Sequence, residues 1–293
     1  MSELQIWPLQ TSDIPIVIEW ARLEDFAPGI GDISIYRNTD QQGIWVGWND
    51  NTPVGCIAGV KYNEAYGFIG LYIVQNDFRG RGYGHQLWDV ALEHLNGVAC
   101  VGLEAAPSLI DTYEAYEFVA HSQTIRWQCF NHHSREQLAF NNEYSGLQVI
   151  VGTGLSMNAV HEYDSKREIT ARHHFLTQWL SHPEGEVITL MDRNGACHGF
   201  ARIRPCLLPI GEGWRIGPIL ADTAELAQLL IESLLRDHSG VVLIDSPETN
   251  QKATALLAGM GFKKVSATTR MYRGDVMPKS NDSVFGLACL ELG

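Results

Sequence analysis

Apolar and polar positions along this chain change period several times, and each change marks an element. Between residues 83 and 95, Leu87, Ala91 and Leu95 recur at i, i+4 and i+8. Trp88 and Leu92 widen that stripe, so the segment is predicted to be a helix packed on a sheet. Asn96-Gly97 stops it. On either side the pattern turns into short apolar runs, residues 71–74 before and Val98-Ala-Cys-Val-Gly-Leu-Glu104 after, which read as buried strands. Residues 108–116 are predicted to be a second helix. Trp45 and Trp48, set among Val46 and Gly47, lie on another strand-like run, where core packing accounts for them. Strand, helix, strand, helix in this order is the pattern of an α/β fold with helices on a mixed sheet.

The same order occurs twice. Residues 54–60 correspond to 198–204, and Gly70-Leu-Tyr-Ile-Val-Gln aligns without a gap on Gly217-Pro-Ile-Leu-Ala-Asp. Val98 to Glu104 then matches Val241-Val-Leu-Ile-Asp245, and Phe118-Val119 matches Phe262-Lys263 after a helix. Duplication of one domain is the simplest account. It gives two mixed sheets side by side, residues 1–133 and 134–293, with the boundary in the polar stretch that starts at Asn131. A last apolar run, Val284 to Leu292, is a further strand candidate, which could close the second sheet or cross over to the first.

The chemistry-bearing segment joins the strand ending at Val74 to the helix starting at Tyr83. Its glycines, Gly80, Gly82 and Gly84, let the backbone turn tightly and approach a ligand, and the first amides of a helix have no acceptor inside it. Such a loop is an anion cradle suited to a pyrophosphate. A Walker loop would continue with Lys and Ser or Thr, whereas His85-Gln86 stand here. A dinucleotide loop expects an acid about twenty residues on, a place Glu104 fits, but the spacing here is G-x-G-x-G with two arginines threaded through it. The pattern of apolar strand and Arg79-x-x-Gly82-x-Gly84 resembles the acyl-CoA signature of the GNAT N-acetyltransferases. Tyr113-Glu-Ala-Tyr-Glu-Phe118 resembles that family's Tyr-x-x-x-Gly-Phe segment, with Glu117 at the glycine.

In the second copy, Leu226, Leu229 and Ile231 replace Arg79, Gly82 and Gly84, and Leu257 replaces Tyr113. The whole plan therefore resembles tandem GNAT proteins with a degenerate C-terminal acetyltransferase-like domain. Trp20, Pro28-Gly29 and Asp32 support this early in the chain. Gly217-Pro218, Asp245-Ser-Pro247, Asn250, Gly261-Phe262 and Arg270-Met271 support it later.

That resemblance implies a site. Arg79, Gly80, Arg81, Gly82, Tyr83 and Gly84 would hold the pyrophosphate of acetyl-CoA, and the backbone at Tyr72, Ile73 and Val74 the pantetheine, in a gap between splayed strands. A free amide near Tyr72 or Ile73 would polarise the acyl oxygen, an effect of about 3 kcal/mol. Tyr113 stands where the family places its general acid, with Tyr116 the substitute if the helix register differs by a turn. Glu104, at the end of a parallel strand, is the candidate general base. Glu24, Asp25 and Asp32 lie in the segment expected to form the substrate wall, and would meet a cationic amine. The expected activity is acetyl-CoA-dependent N-acetylation of a small-molecule primary amine. No Gly-x-Ser-x-Gly nucleophile occurs, so transfer should be direct. The alternative is a non-catalytic acyl-CoA-binding or sensing protein. A larger acyl group such as succinyl would need a cation at its far end, and the sequence does not place Arg126 or Arg37.

Composition narrows the partners. A net charge of −13, with no clustered Lys or Arg, argues against nucleic acid and favours cationic ligands. No apolar run approaches the roughly 20 residues that span a bilayer, and Met1-Ser-Glu-Leu-Gln lacks signal-peptide character, so a cytoplasmic protein is expected. The six scattered cysteines read as reduced thiols. His132-His133 and His173-His174 lack the partners and spacing of a metal site. Self-association is left open.

Overall fold

Two passes through one order of elements build the structure. The computed structural model describes residues 4–132, 143–144, 146–154, 156–275 and 282–293. The first pass runs β1 (Gln5–Pro8), α1 (Ile14–Leu23), α2 (Asp32–Thr39), β2 (Ile44–Asn49), β3 (Thr52–Lys61), β4 (Tyr66–Val74), α3 (Tyr83–His94), β5 (Cys100–Ala105), α4 (Ile110–Glu114) and β6 (Val119–Asn131). The second runs β7 (Glu143–Tyr144), β8 (Leu147–Val151), α5 (Met157–Ser165), α6 (His173–Ser181), β9 (Glu186–Met191), β10 (Cys197–Leu207), β11 (Glu212–Ala221), α7 (Ala224–Leu235), β12 (Gly240–Pro247), α8 (Gln251–Gly259), β13 (Lys263–Gly274) and β14 (Val284–Gly286). The expected boundary at 133/134, and His133 with it, lies outside the described residues.

Local rules account for most element ends. Helix α3 follows Gly82 and ends before Leu95, with Gly97 in the left-handed region two residues on. Helix α4 is shorter than predicted, because a 3-10 turn starting at Pro107 precedes it and Glu117 leaves the helix with φ +67°. That left-handed backbone is the conformation a glycine would adopt freely, and Gly261 adopts it at the matching place in the second half. Phe118 N–H donates to Tyr113 O (3.2 Å) and Phe262 N–H to Leu257 O (3.0 Å), so both halves turn the same way.

The two sheets expected side by side are fused into one. Strand order is β1-β2-β3-β4-β5-β13-β6-β12-β11-β10-β9-β8-β7, with β14 paired to β11. Only β4–β5 and β11–β12 are parallel among these pairs. The fusion comes from an exchange: β13, from the second half, pairs with β5 of the first, and β6, from the first, pairs with β12 of the second. An open β5 edge accepts any strand of suitable length, and nothing in the local pattern says which one arrives. The exchange carries a matched pair of charges. Arg270 on β13 sits in register with Glu104 on β5, and Arg126 on β6 with Asp245 on β12.

Three apolar layers hold the assembly. Helix α3 and Tyr113 of α4 cover the outer face of the first half (Leu87, Trp88, Ala91, with Ile69, Val101 and Leu103), and α7 and α8 cover the outer face of the second. Between the halves, α1, α2, α5 and α6 pack together with both inner sheet faces. The terminal run is a strand only over Val284–Gly286, within the second half. Residues 287–293 leave the ladder and cross to the first, where Tyr62 Oη donates to Leu292 O. None of the described helices is long and apolar enough to cross a membrane, and all six cysteines are free.

Candidate active site

Between β4 and α3 the chain makes the cradle from two glycines in the left-handed region, Gly80 (φ +73°) and Gly82 (φ +82°). A side chain at either would be strained. A Cβ at Gly80 would meet nothing within 4 Å, so the loop opens outward. Gly82 brings no side-chain cap to α3, which leaves the positive end of the helix facing the loop. Arg79 spans the cradle's inner rim: Nε donates to Val74 O (2.8 Å) and Nη2 pairs with Glu24 (2.5 Å). Arg81 Nη2 donates to Asp77 O (2.7 Å) and the guanidinium lies over the Phe78 ring. Donors and positive charge here suit a diphosphate. The second half has no counterpart. There α7 begins three residues after β11 ends, the Thr223 hydroxyl accepts from Leu226 N–H, and Leu226 and Ile231 are buried.

Ahead of the cradle the parallel strands part. Ladder pairing between β4 and β5 stops at Ile69 and Leu103, although both strands continue. A β-bulge sets Leu71 and Tyr72 opposite one residue of β3, and Leu71 takes φ +47°, a strained value for a branched side chain. Tyr72 lines the resulting cleft of about 300 Å³, while Ile73 and Val74 rejoin the ladder opposite Cys56 and Gly55.

Tyr113 reaches the cleft from α4, its ring stacked on Trp88 at 5.1 Å. Burial, with the Tyr72 phenol adding to it, pushes the Tyr113 hydroxyl well above the ordinary tyrosine range, so it stays protonated across neutral pH. Tyr116 does not line the cleft and hydrogen-bonds His85 Nδ1 (2.9 Å).

The carboxylates divide sharply. Glu24 and Asp25 line the cleft mouth. Glu24 is tied to Arg79, whereas the Asp25 carboxylate is exposed and has no hydrogen-bonded partner among the described residues. Asp32, expected on the same wall, is instead buried. Arg204 of β10 grips it through Nε (2.9 Å) and Nη2 (3.0 Å), and Gly29 N–H donates to it (2.9 Å). It joins the halves and cannot touch a substrate in the cleft; its spacing within the early segment carried no sign of the distant arginine. Glu104 lines the cleft but accepts from Thr124 Oγ1 (2.8 Å), Thr268 Oγ1 (2.6 Å) and Arg270 Nε (2.7 Å).

Several wall residues escaped the sequence. Arg126 lines the cleft, pairs with Asp245 (2.8 Å) and donates to Asp25 O (2.8 Å), holding the 25–27 loop over the opening together with Arg215, which donates to Phe26 O and Ala27 O. Arg37 is not in the cleft lining and donates to Leu9 O (2.9 Å). Thr268, Leu290 and Glu291 come from the second half. The one signal available in advance was the recurrence of an acid at the end of both β5 and β12.

Comparison with known proteins agrees with this geometry. A profile described as "Acetyltransferase (GNAT) family" matches residues 9–118, and one described as "Acetyltransferase (GNAT) domain" matches residues 160–286. Holothin acyltransferase of a Pseudoalteromonas strain is 29% identical over all of this chain and 97% of its own. A Pyrococcus horikoshii crystal structure, provisionally termed an acetyltransferase, superposes with a TM-score of 0.80 at 20% identity, covering 99% of this chain and 96% of that one. A tandem GNAT protein from the clavulanic acid biosynthesis pathway superposes with a TM-score of 0.65 at 15% identity, covering 94% and 100%.

Proposed function

Because the chain belongs to the GNAT acetyltransferase family, with two such domains in tandem, we propose that it transfers an acetyl group from acetyl-CoA directly to the primary amine of a small molecule. The observation that carries this reading is one cleft that holds a parted pair of parallel strands and a buried, protonated tyrosine, and that a glycine cradle adjoins through the Arg79–Glu24 pair. The domain spans 1–133 and 134–293 follow the same reading, with the first half as the cofactor-binding one.

The loop from Arg79 to Gly84 would hold the pyrophosphate, and the bulged strand at Tyr72 to Val74 the pantetheine. Bound acetyl-CoA supplies an activated acyl carbonyl and a thiolate leaving group. Tyr113 donates the proton that the departing sulfur takes up. Asp25 meets the charged amine at the mouth; of the two protons the amine gives up, one leaves there to solvent and the other restores the Tyr113 hydroxyl. Orientation supplies much of the remaining acceleration.

Glu104 we assign to a different task from the general base expected of it. Its carboxylate is engaged by three donors, and the half without a cradle keeps the same acid–arginine pair, Asp245 with Arg126. A feature present in both halves is accounted for by the strand exchange, which needs a charge clasp on each side. The small-molecule acceptor class draws on the relative, whose name designates holothin as what that protein acylates.

The test is to incubate the full chain with acetyl-CoA and a panel of primary amines while following free thiol. Thiol release with formation of the acetylated amine is expected. A non-catalytic acyl-CoA-binding protein would leave release at background with every amine. Arg79→Ala combined with Gly82→Leu should abolish coenzyme A binding, and unchanged affinity there would refute the site.

A further inference from the structure

One short segment touches both halves at matching places. Gly70 and Gly217, aligned in the duplication, have no room for a side chain. A Cβ at Gly217 would overlap the Leu287 carbonyl, and one at Gly70 the Glu291 carbonyl. In the second half, β14 pairs with β11 while Leu287 N–H donates to Asp245 O on β12 (2.8 Å). The chain itself thus bridges the parted strands there. In the first half the same segment passes without pairing, so that Leu290 and Glu291 form a wall of the open cleft.

That wall is fixed in place. Cys289 and Leu292 are buried in the central core on either side of Leu290. Tyr36 Oη donates to Glu291 Oε2 (3.2 Å) and Arg215 Nη1 to Oε1 (3.4 Å). Leu290 is half-buried and lines the cleft with Phe26, Leu71 and Leu103. The cleft thus has acidic residues, Glu24 and Asp25, and, beside the paired Glu104, Arg126 and Glu291, an apolar wall made by these four side chains. An amine on a compact apolar body matches that division.

Resting on the acetyl-transfer reading, we propose that Leu290, supplied by the second half, is the residue that sets how large an apolar body the acceptor carries. The segment from Val284 to Glu291 then serves both halves: it fills the gap that binds no coenzyme and bounds the acceptor space of the one that does.

The experiment measures kcat/KM of the full chain with acetyl-CoA for linear amines from ethylamine to octylamine, and for benzylamine and naphthylmethylamine. Leu290→Ala should raise the ratio of naphthylmethylamine to ethylamine on the order of tenfold, the scale set by a few methylene contacts. Leu290→Trp should lower that ratio by a similar factor, and Leu290→Met should keep it, all with the KM for acetyl-CoA unchanged. A ratio that stays constant across the three variants, whatever happens to thermal stability, would overturn the assignment while leaving acetyl transfer intact. Absence of thiol release from the unmodified chain with every amine would instead strike the transfer reading, and this inference with it.

Discussion

Replacing Asp245 by asparagine tests how the halves are joined and how that junction serves the cleft. Asp245 is 3% exposed and accepts from Arg126 Nε (2.8 Å) and Arg215 Nη2 (2.8 Å). Burial opposes its ionisation, but the two guanidiniums outweigh burial and lower its pKa from 3.8 to about 2. That difference corresponds to ~2–3 kcal/mol. Because the folded value lies below the unfolded one, this stabilisation is whole above the unfolded pKa of 3.8 and is lost as pH falls through about 2. Asparagine keeps the shape but leaves buried Arg126 without its counter-charge and Arg215 with Glu291 alone, at a cost of ~3–5 kcal/mol at neutral pH. Urea unfolding of both proteins across a pH series should show the gap between them closing by ~2–3 kcal/mol over the acid window. A gap independent of pH, or a variant as stable as its parent, would refute the argument. Arg126 and Arg215 also carry the carbonyls of Asp25, Phe26 and Ala27, so the variant should raise the acceptor KM and leave coenzyme A affinity alone.

Three other substitutions separate roles that proximity alone confuses. Tyr113→Phe should lower kcat about 100-fold with little change in melting temperature, whereas Tyr116→Phe should keep near-parental rates; equal losses in steady-state assays would dismiss Tyr113 as the proton donor. Glu104→Gln should destabilise the protein, because Arg270 loses its buried partner, yet leave the shape of the pH–rate profile unchanged. A vanished acid limb in that profile would restore Glu104 as the base. Glu117→Gly should stabilise by ~1 kcal/mol in thermal or urea unfolding, since the residue holds φ +67°, and a loss of stability would contradict the strain.

What could be read from the sequence was whatever a few consecutive residues decide. The spacing of Leu87, Ala91 and Leu95 placed α3 within a residue of its end, and the alternate glycines located the cradle, because helix periodicity and left-handed backbone are local properties. Tyr113 kept its register despite Glu117, since the turn tolerates the strain. The replacement of Gly82 and Gly84 by Leu229 and Ile231 already marked the second half as lacking the glycine loop, and helix runs through both positions.

Tertiary structure decided everything that depends on which edge meets which. Glu104 and Arg270 stand 166 residues apart, and Arg126 and Asp245 119 apart, yet each pair closes through one strand register. Periodicity tells a strand which face to bury but not which neighbour to take, so the exchange of β6 and β13, the burial of Asp32 under Arg204, and the passage of Leu290 into the cleft had no local signature. Backbone geometry within the first half makes the glycine cradle, whereas the cleft's far wall exists only after two distant parts of one chain have paired.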